Sequence, residues 1–268
     1  PFYGPYDAQK LILEHEKELN MKMVPFKMMV YVKGKNKYME IDKVPKEYKT
    51  LNISGTEFRY KLENGESIPE WFSYPDIVKE LQKAYPLKEE QGFTLFFSGL
   101  SGSGKSTIAN GVLTKLLELG DRKVTLLDGD IVRTHLSSEL GFSKDHRELN
   151  VKRIGYVASE ITKNGGIAIC APIAPYESDR NFNKDLISKY GGYIEVFVST
   201  PLEVCEERDS KGLYALARKG VIKEFTGISD PYEKPKNPDI IIDSSKEDPD
   251  ILIEQIIDKI KSLGYMNE

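Results

Sequence analysis

The sequence predicts an α/β protein built on a mainly parallel sheet, and three observations predict it. Five short apolar runs fall at 93–98, 123–128, 167–170, 193–199 and 240–242; helical stretches separate most of them; and a glycine-rich turn joins the first run to the first helix. Runs that are apolar throughout, rather than alternating, belong in a sheet covered on both faces, and the helices supply the cover. Those helices are expected at 105–119, 147–163, 182–189 and 250–263, with Pro249 placed in the first turn of the last.

Residues 1–87 read differently. A helix is expected at 7–19 through Leu11, Ile12 and Leu19, then a strand at 26–32, a turn at 34–37 and a strand at 38–41. Ser54 and Glu57 have capping-box spacing for a helix reaching Leu62, which Asn64-Gly65 ends. A last helix is expected at 73–85, with Pro75 near its start and Ile77, Val78, Leu81 and Ala84 facing inward, and Pro86 stops it. Elements this short, opening abruptly on Pro1-Phe2-Tyr3-Gly4-Pro5, make a small incomplete α/β segment. Residues 88–92 then read as a linker and 93–268 as the main domain.

Composition narrows the possible functions. A formal net charge of −4 argues against a general nucleic-acid binder. No apolar run approaches a bilayer span and no signal-peptide pattern opens the chain, so no membrane partner is expected. Cys170 and Cys205 lie far apart without metal-ligand spacing, which fits buried thiols in a reduced, cytoplasmic setting.

The turn after the first strand, Gly99-Leu100-Ser101-Gly102-Ser103-Gly104-Lys105-Ser106, followed by Thr107, has the G-x-x-x-x-G-K-S spacing between a strand and a helix. Glycines let backbone N–H groups close around phosphate oxygens, and the helix start adds its positive end. Lys105 is placed to reach the β- and γ-phosphates of ATP, and Ser106 to ligate Mg²⁺. The bland alternative is a flexible glycine turn.

The second strand ends in Asp128-Gly129-Asp130, at the sheet edge where substrates bind in such folds. One carboxylate can take the proton of an attacking hydroxyl and the other can hold Mg²⁺, directly or through water. The structural alternatives are a turn at Asp128 and a helix N-cap at Asp130. The third strand ends in Ala171-Pro172 without an acidic residue, which favours a small-molecule kinase over a hydrolytic switch or motor. Arg133, Arg147 and Arg153, with Asn150, suit an anionic acceptor, and Phe142 can stack on a base; each arginine alone could instead sit on a solvated helix face. His135 and His146 read as structural or surface residues. A basic, glycine-containing stretch with Arg208, Lys211, Arg218 and Phe225 could close over the nucleotide, or be a charged surface helix.

At these residues the sequence resembles the adenylyl-sulfate kinases. The matching stretches are GLSGSGKST at 99–107, DGDIVR at 128–133, LGFSKDHRELNVKRIG at 140–155, PYESDR at 175–180, KGLYALARKG at 211–220 and FTGISDPYE at 225–233. The resemblance implies a P-loop NTP hydrolase-like kinase fold and phosphoryl transfer from ATP to the 3′-hydroxyl of adenylyl sulfate. It implies a nucleotide site at Gly99, Ser101, Gly102, Ser103, Gly104, Lys105, Ser106, Thr107, Arg208 and Lys211. Lys105, Asp128 and Asp130 would be catalytic, and Ser106 and Asp130 would serve Mg²⁺. Arg133, Arg147 and Asn150 would hold the acceptor's sulfate-phosphate portion, with its adenine between Phe142 and Phe225. A homo-oligomer, commonly a dimer, is also implied. Some family members carry a phosphorylatable serine in an Ile-Ser-Pro-Tyr stretch; Ile173-Ala174-Pro175-Tyr176 has no such hydroxyl, so direct transfer is expected.

Residues 1–87 resemble the later part of ATP sulfurylase, through FYGPYDAQ at 2–9, NISGTEFR at 52–59 and IPEWFSYPDIVKEL at 68–81. That family's Gln-x-Arg-Asn, His-x-x-His and Gly-Arg-Asp-His segments are missing, so this chain by itself is expected to lack sulfurylase activity. A bifunctional parent chain is one alternative, and a non-catalytic nucleotide-binding module that regulates a sulfurylase is another.

Overall fold

The computed structural model describes residue 4 and residues 6–120 and 122–267, so most of the opening Pro-Phe-Tyr-Gly-Pro stretch lies outside the described residues. The chain divides into two compact units, Pro1–Leu87 and Lys88–Glu268.

The first unit contains helices α1 (Asp7–Glu14), α2 (Glu16–Leu19), α3 (Gly55–Glu63) and α4 (Pro75–Gln82), and strands β1 (Met29–Val32), β2 (Lys37–Glu40) and β3 (Thr50–Leu51). β1 lies between β2 and β3 in an antiparallel sheet and buries Val30 and Val32. The single helix expected at 7–19 is broken at His15, whose φ of −107° and ψ of 12° leave the helical region. Neither half buries a residue, and short helices without packing have little to keep them continuous. Ser54 caps α3 by accepting the Glu57 N–H at 3.1 Å, and Leu62 at the far end is buried. α4 is shorter than expected, and Ile77, expected inward, is 50% exposed.

The second unit is a five-stranded sheet of β4 (Phe93–Ser98), β5 (Val124–Asp128), β6 (Ile167–Ala171), β7 (Gly192–Val198) and β8 (Ile240–Ile242). The order is β5-β6-β4-β7-β8 and every pair is parallel. Its helices are α5 (Lys105–Leu119), α6 (Gly129–His135), α7 (Lys144–Lys163), α8 (Glu177–Ile187), α9 (Leu202–Arg208), α10 (Leu213–Arg218) and α11 (Pro249–Ser262). Alternate residues of β4 face opposite layers, as the pleat requires. Phe93, Leu95 and Phe97 pack with Ile108 and Val112 of α5 and Ile256 of α11. Phe96 packs with Val151 and Ile154 of α7 and Ile187 of α8. Cys170 and Cys205 are free and buried. Among the described residues no helix is long and apolar enough to cross a membrane.

The helices that differ most from expectation differ for a physical reason. α8 begins at Glu177 because its inward face includes Asp179, Arg180 and Asn183, polar residues that conceal the apolar period. α7 likewise starts earlier and buries Arg147 and Asn150. α6, α9 and α10 have seven residues or fewer, too few to show a period. At the other end of the unit, Arg122 donates to the carbonyls of Glu89, Gln91, Gly165 and Tyr265, so the 3-10 turn Lys88–Glu90 and the entry to β4 are sewn to the sheet.

α7 and α8 cross closely at Gly155, where an added Cβ would lie 1.9 Å from Asn183 Oδ1. Asn183 is fully buried and donates to the Val151 carbonyl at 3.0 Å, so it has little room to retreat. Gly155→Ala is therefore expected to cost about 1–3 kcal/mol, read as a lower urea midpoint; an unchanged midpoint would contradict this crossing.

Candidate active site

The phosphate loop leaves β4 at Ser98 and enters α5 at Lys105. Two of its glycines are required by space as well as by backbone conformation. Gly99 has φ of +147° and a Cβ there would meet the Val198 carbonyl at 2.6 Å; Gly104 has φ of +93° and would meet Ser244 Oγ at 2.9 Å. The Ser103 carbonyl accepts from Thr200 Oγ1 (3.0 Å) and Ser244 Oγ (2.8 Å), which locks the loop to the segments after β7 and β8. Lys105 is buried, with its ammonium 2.6 Å from the Leu100 carbonyl. Burial brings its pKa down to about 8, partly offset by nearby acidic groups, Asp128 among them.

Asp128 closes β5 and caps α6. Its Oδ1 accepts the Asp130 N–H at 2.9 Å, and its Oδ2 accepts Ser106 Oγ–H at 2.7 Å. The capping residue is thus Asp128 and not Asp130, and the same carboxylate reaches across to the phosphate loop. Asp130 is exposed and ion-paired with Lys211. Ser106 and Asp128 together present hard oxygen donors on the loop side of the cleft, and Asp130 adds another at the strand edge. This fits Mg²⁺ shared with phosphates, which needs only one or two protein oxygens. Among the described residues no group of three or more His, Cys, Asp or Glu could hold a metal unaided.

A cavity of about 870 Å³ joins the loop to the opposite wall. Ser101, Gly102, Gly104, Lys105, Ser106 and Thr107 line one end with Arg208 and Lys211; Arg133, Phe142, Arg147, Asn150 and Phe225 line the other; Asp128 and Asp130 lie between. Arg208 donates to the Gly102 carbonyl and to Ser244, so it is seated on the loop. Arg133 donates to the Leu140 and Gly141 carbonyls and lies 4.4 Å from the ring centre of Phe142, which is exposed at the cavity. Arg153 does not join them: it pairs with Glu139 and donates to the Leu136 carbonyl, outside the cavity lining. His146 accepts the Gly141 N–H, a structural contact.

Arg147 is the most engaged residue of the wall opposite the loop. It donates to the Glu224 carbonyl (2.7 Å), Thr226 Oγ1 (3.0 Å), Tyr176 Oη (2.9 Å) and Asp230 Oδ2. Tyr176 also donates to Asp230 at 2.6 Å; burial, then that bond, raises its pKa, so the hydroxyl remains a donor. Arg147 Nε and Asn150 Oδ1 are buried without a protein partner, which leaves hydrogen-bonding capacity on this wall. Sequence reasoning missed Tyr176, Asp230 and the buried Tyr214, which packs on Phe225. Their separations from Arg147 and from the loop are far too large for a spacing pattern to show. Ala174, on the same wall, is buried at φ of +46° and its carbonyl accepts from Arg180.

Comparison with known proteins places these features among relatives. The family model for adenylylsulphate kinase matches residues 91–243, and that for ATP-sulfurylase matches residues 1–84. A sulfate adenylyltransferase of Gibberella zeae is 48% identical over 265 residues, which is 99% of this chain and 46% of that protein. The chain therefore spans about half the length of such curated relatives. The hexameric APS kinase from Thiobacillus denitrificans superposes with a TM-score of 0.77 at 41% identity, over 99% of this chain and 48% of that one. The Mycobacterium tuberculosis APS kinase CysC, solved in complex with AMPPNP and APS, gives a TM-score of 0.61 at 41% identity, over 64% of this chain and 98% of that one.

The buried ammonium makes a pH prediction. A lysine with pKa near 8 when folded and 10.5 when unfolded binds its proton less tightly in the native state. Its burial cost is present in full below pH 8 and is relieved as pH rises towards 10.5, by about 3 kcal/mol in total. Measured by urea unfolding, the stability of the wild type relative to Lys105→Met should therefore rise between pH 8 and pH 10; a constant difference would show that Lys105 is not buried as a cation.

Proposed function

The chain belongs to the adenylylsulphate kinase family, and we propose from that premise that it transfers the γ-phosphoryl group of ATP to the 3′-hydroxyl of adenylyl sulfate. The products are ADP and 3′-phosphoadenylyl sulfate. The observation that carries this reading is the single cavity that has a phosphate loop at one end and an arginine-aromatic wall at the other, with Asp128 between them.

Each residue then has a physical task. Loop N–H groups and the start of α5 hold the ATP phosphates, and Lys105 neutralises charge on the β- and γ-phosphates. Ser106 would hold Mg²⁺, with Asp128 beside it and Asp130 at the strand edge; the ion supplies charge neutralisation on the transferring group. Arg208 and Lys211 cover the nucleotide end. Arg133, Arg147 and Asn150 orient the acceptor's anionic portion, and Phe142 and Phe225 take its adenine.

In the transfer, the 3′-oxygen forms a bond to the γ-phosphorus while the bond from that phosphorus to the β–γ bridging oxygen breaks. The hydroxyl proton passes to Asp128, and the leaving electrons stay on ADP. Ala174 carries no hydroxyl, so no phosphoserine can form there and transfer is direct. Most of the rate enhancement is positioning and charge stabilisation.

The ATP-sulfurylase match over residues 1–84 favours a second, compatible reading. In a chain of the relatives' length the kinase would act beside a sulfurylase that makes its acceptor. Self-association is also part of the proposal, and the hexameric relative makes orders above the dimer the ones to look for.

With Mg-ATP and adenylyl sulfate, the chain is expected to form ADP and 3′-phosphoadenylyl sulfate in equal amounts, separated by ion-exchange chromatography. ADP without the second product would reject the reading, and binding of both nucleotides without turnover would favour a regulatory module. Asp128→Asn should lower kcat by roughly 100-fold or more while changing the KM for ATP by less than about threefold; unchanged kcat would remove Asp128 from the proton transfer.

A further inference from the structure

Tyr214 lies behind the cavity and contacts one lining residue at each end of it, Ser101 and Phe225. It lies on α10 and is 1% exposed, yet it is part of neither the phosphate-binding nor the acceptor-binding set. Its hydroxyl donates to the Ser101 carbonyl of the phosphate loop at 2.8 Å. Its ring meets Phe225 edge-to-face, with centres 5.0 Å apart and planes at 76°. The start of α10 is fixed as well, because the Asp209 carboxylate accepts the N–H groups of Tyr214 and Ala215, both at 3.0 Å.

Phe225 is held from the other side too. The Glu224 carbonyl and Thr226 Oγ1, which flank it, both accept from Arg147 of α7, and its own N–H donates to Ser229 Oγ at 2.9 Å. The ring therefore sits between two anchors. One is Arg147 on the acceptor wall, and the other is a rigid phenol whose far end rests on the loop that holds the ATP phosphates.

The geometry points to Tyr214 as a positioning residue that couples the two nucleotide subsites: a shift of the loop on filling moves the Ser101 carbonyl, the phenol moves with it, and Phe225 is set against the acceptor base. This inference rests on the kinase reading above. A phenol has only two side-chain torsions, and both of its ends are engaged, so a displacement at one end is passed on instead of being absorbed. Coupling of this kind is reciprocal: whatever factor a nucleotide on the loop adds to acceptor affinity, the acceptor adds to nucleotide affinity.

The test uses the full chain and two ligands, Mg-ADP and adenylyl sulfate, titrated calorimetrically alone and each in the presence of the other. In the wild type each ligand is expected to tighten the other. Tyr214→Phe keeps the ring and removes the hydroxyl. It should leave each single-ligand affinity within about twofold and reduce the mutual enhancement by roughly three- to tenfold, the worth of one hydrogen bond. In a Phe225→Leu background the same substitution should have no further effect on that enhancement, because the path it acts through is already cut.

Hydrogen exchange on the wild type gives a reading that needs no variant to fold: Mg-ADP should slow exchange of the amides at 225–228. The inference is overturned if the wild type shows no mutual enhancement, or if Mg-ADP leaves those amides unaffected. It is equally overturned if Tyr214→Phe acts undiminished without the Phe225 ring. Product formation by the wild type separates the two levels. If no 3′-phosphoadenylyl sulfate forms, the kinase reading has failed; if it forms while the coupling results are negative, only the role of Tyr214 has failed.

Discussion

The Lys105 ammonium lies 2.6 Å from the Leu100 carbonyl and is almost sealed from solvent, inside a loop that only glycine can trace at Gly99 and Gly104. Burying a cation is costly, and here the cost is written into its lowered pKa even with Asp128 nearby. What makes the arrangement tolerable is that the surroundings are held by the protein's own hydrogen bonds. Thr200 and Ser244 hold the loop from behind, Arg208 holds it from the side, and Asp128 holds the neighbouring Ser106. The site is therefore preorganised for negative charge, the condition under which phosphate stabilisation needs little rearrangement.

The opposite wall is organised around a second cation. Arg147 uses both terminal nitrogens on Tyr176, Asp230 and the segment that carries Phe225. This ties α7, the stretch after β6 and the stretch after α10 to one guanidinium. An acceptor anion would meet an arginine already committed to protein partners, so its orientation is set in advance. Asp230 balances that buried charge, and Lys211 does the same for Asp130 nearer the solvent. Two separate networks, one per wall, meet at Tyr214 and Phe225.

Elements whose stability comes from apolar periodicity were legible from sequence, and those held by polar contacts were not. β4, α5 and β8 have the expected bounds because apolar runs mark the strands and the glycine turn marks the start of the helix. α8 starts at Glu177 and not at the expected 182, and the polar residues Asp179, Arg180 and Asn183 on its inward face hide that first turn from an apolar pattern. The helix expected at 7–19 looked continuous because a period in sequence says nothing about whether a surface exists to receive it. Arg153 read as well as Arg133 and Arg147 did, and only the direction of each side chain separates them.

The loop end of the cavity is legible in the residues alone. A G-x-x-x-x-G-K-S turn between a strand and a helix constrains its own geometry, since the glycines, the lysine and the helix start are contiguous. Asp128 and Asp130 are equally legible at a strand edge, as are the arginines and aromatic rings that the proposed function assigns to the acceptor. Which carboxylate reaches Ser106, which arginines face the cavity, and that Tyr176, Tyr214 and Asp230 brace its lining residues from behind are visible only in the folded chain. The physical reason is range. Contiguous motifs fix their geometry through covalent connection, whereas contacts between residues tens of positions apart exist only after the sheet has brought the carboxyl ends of its strands together.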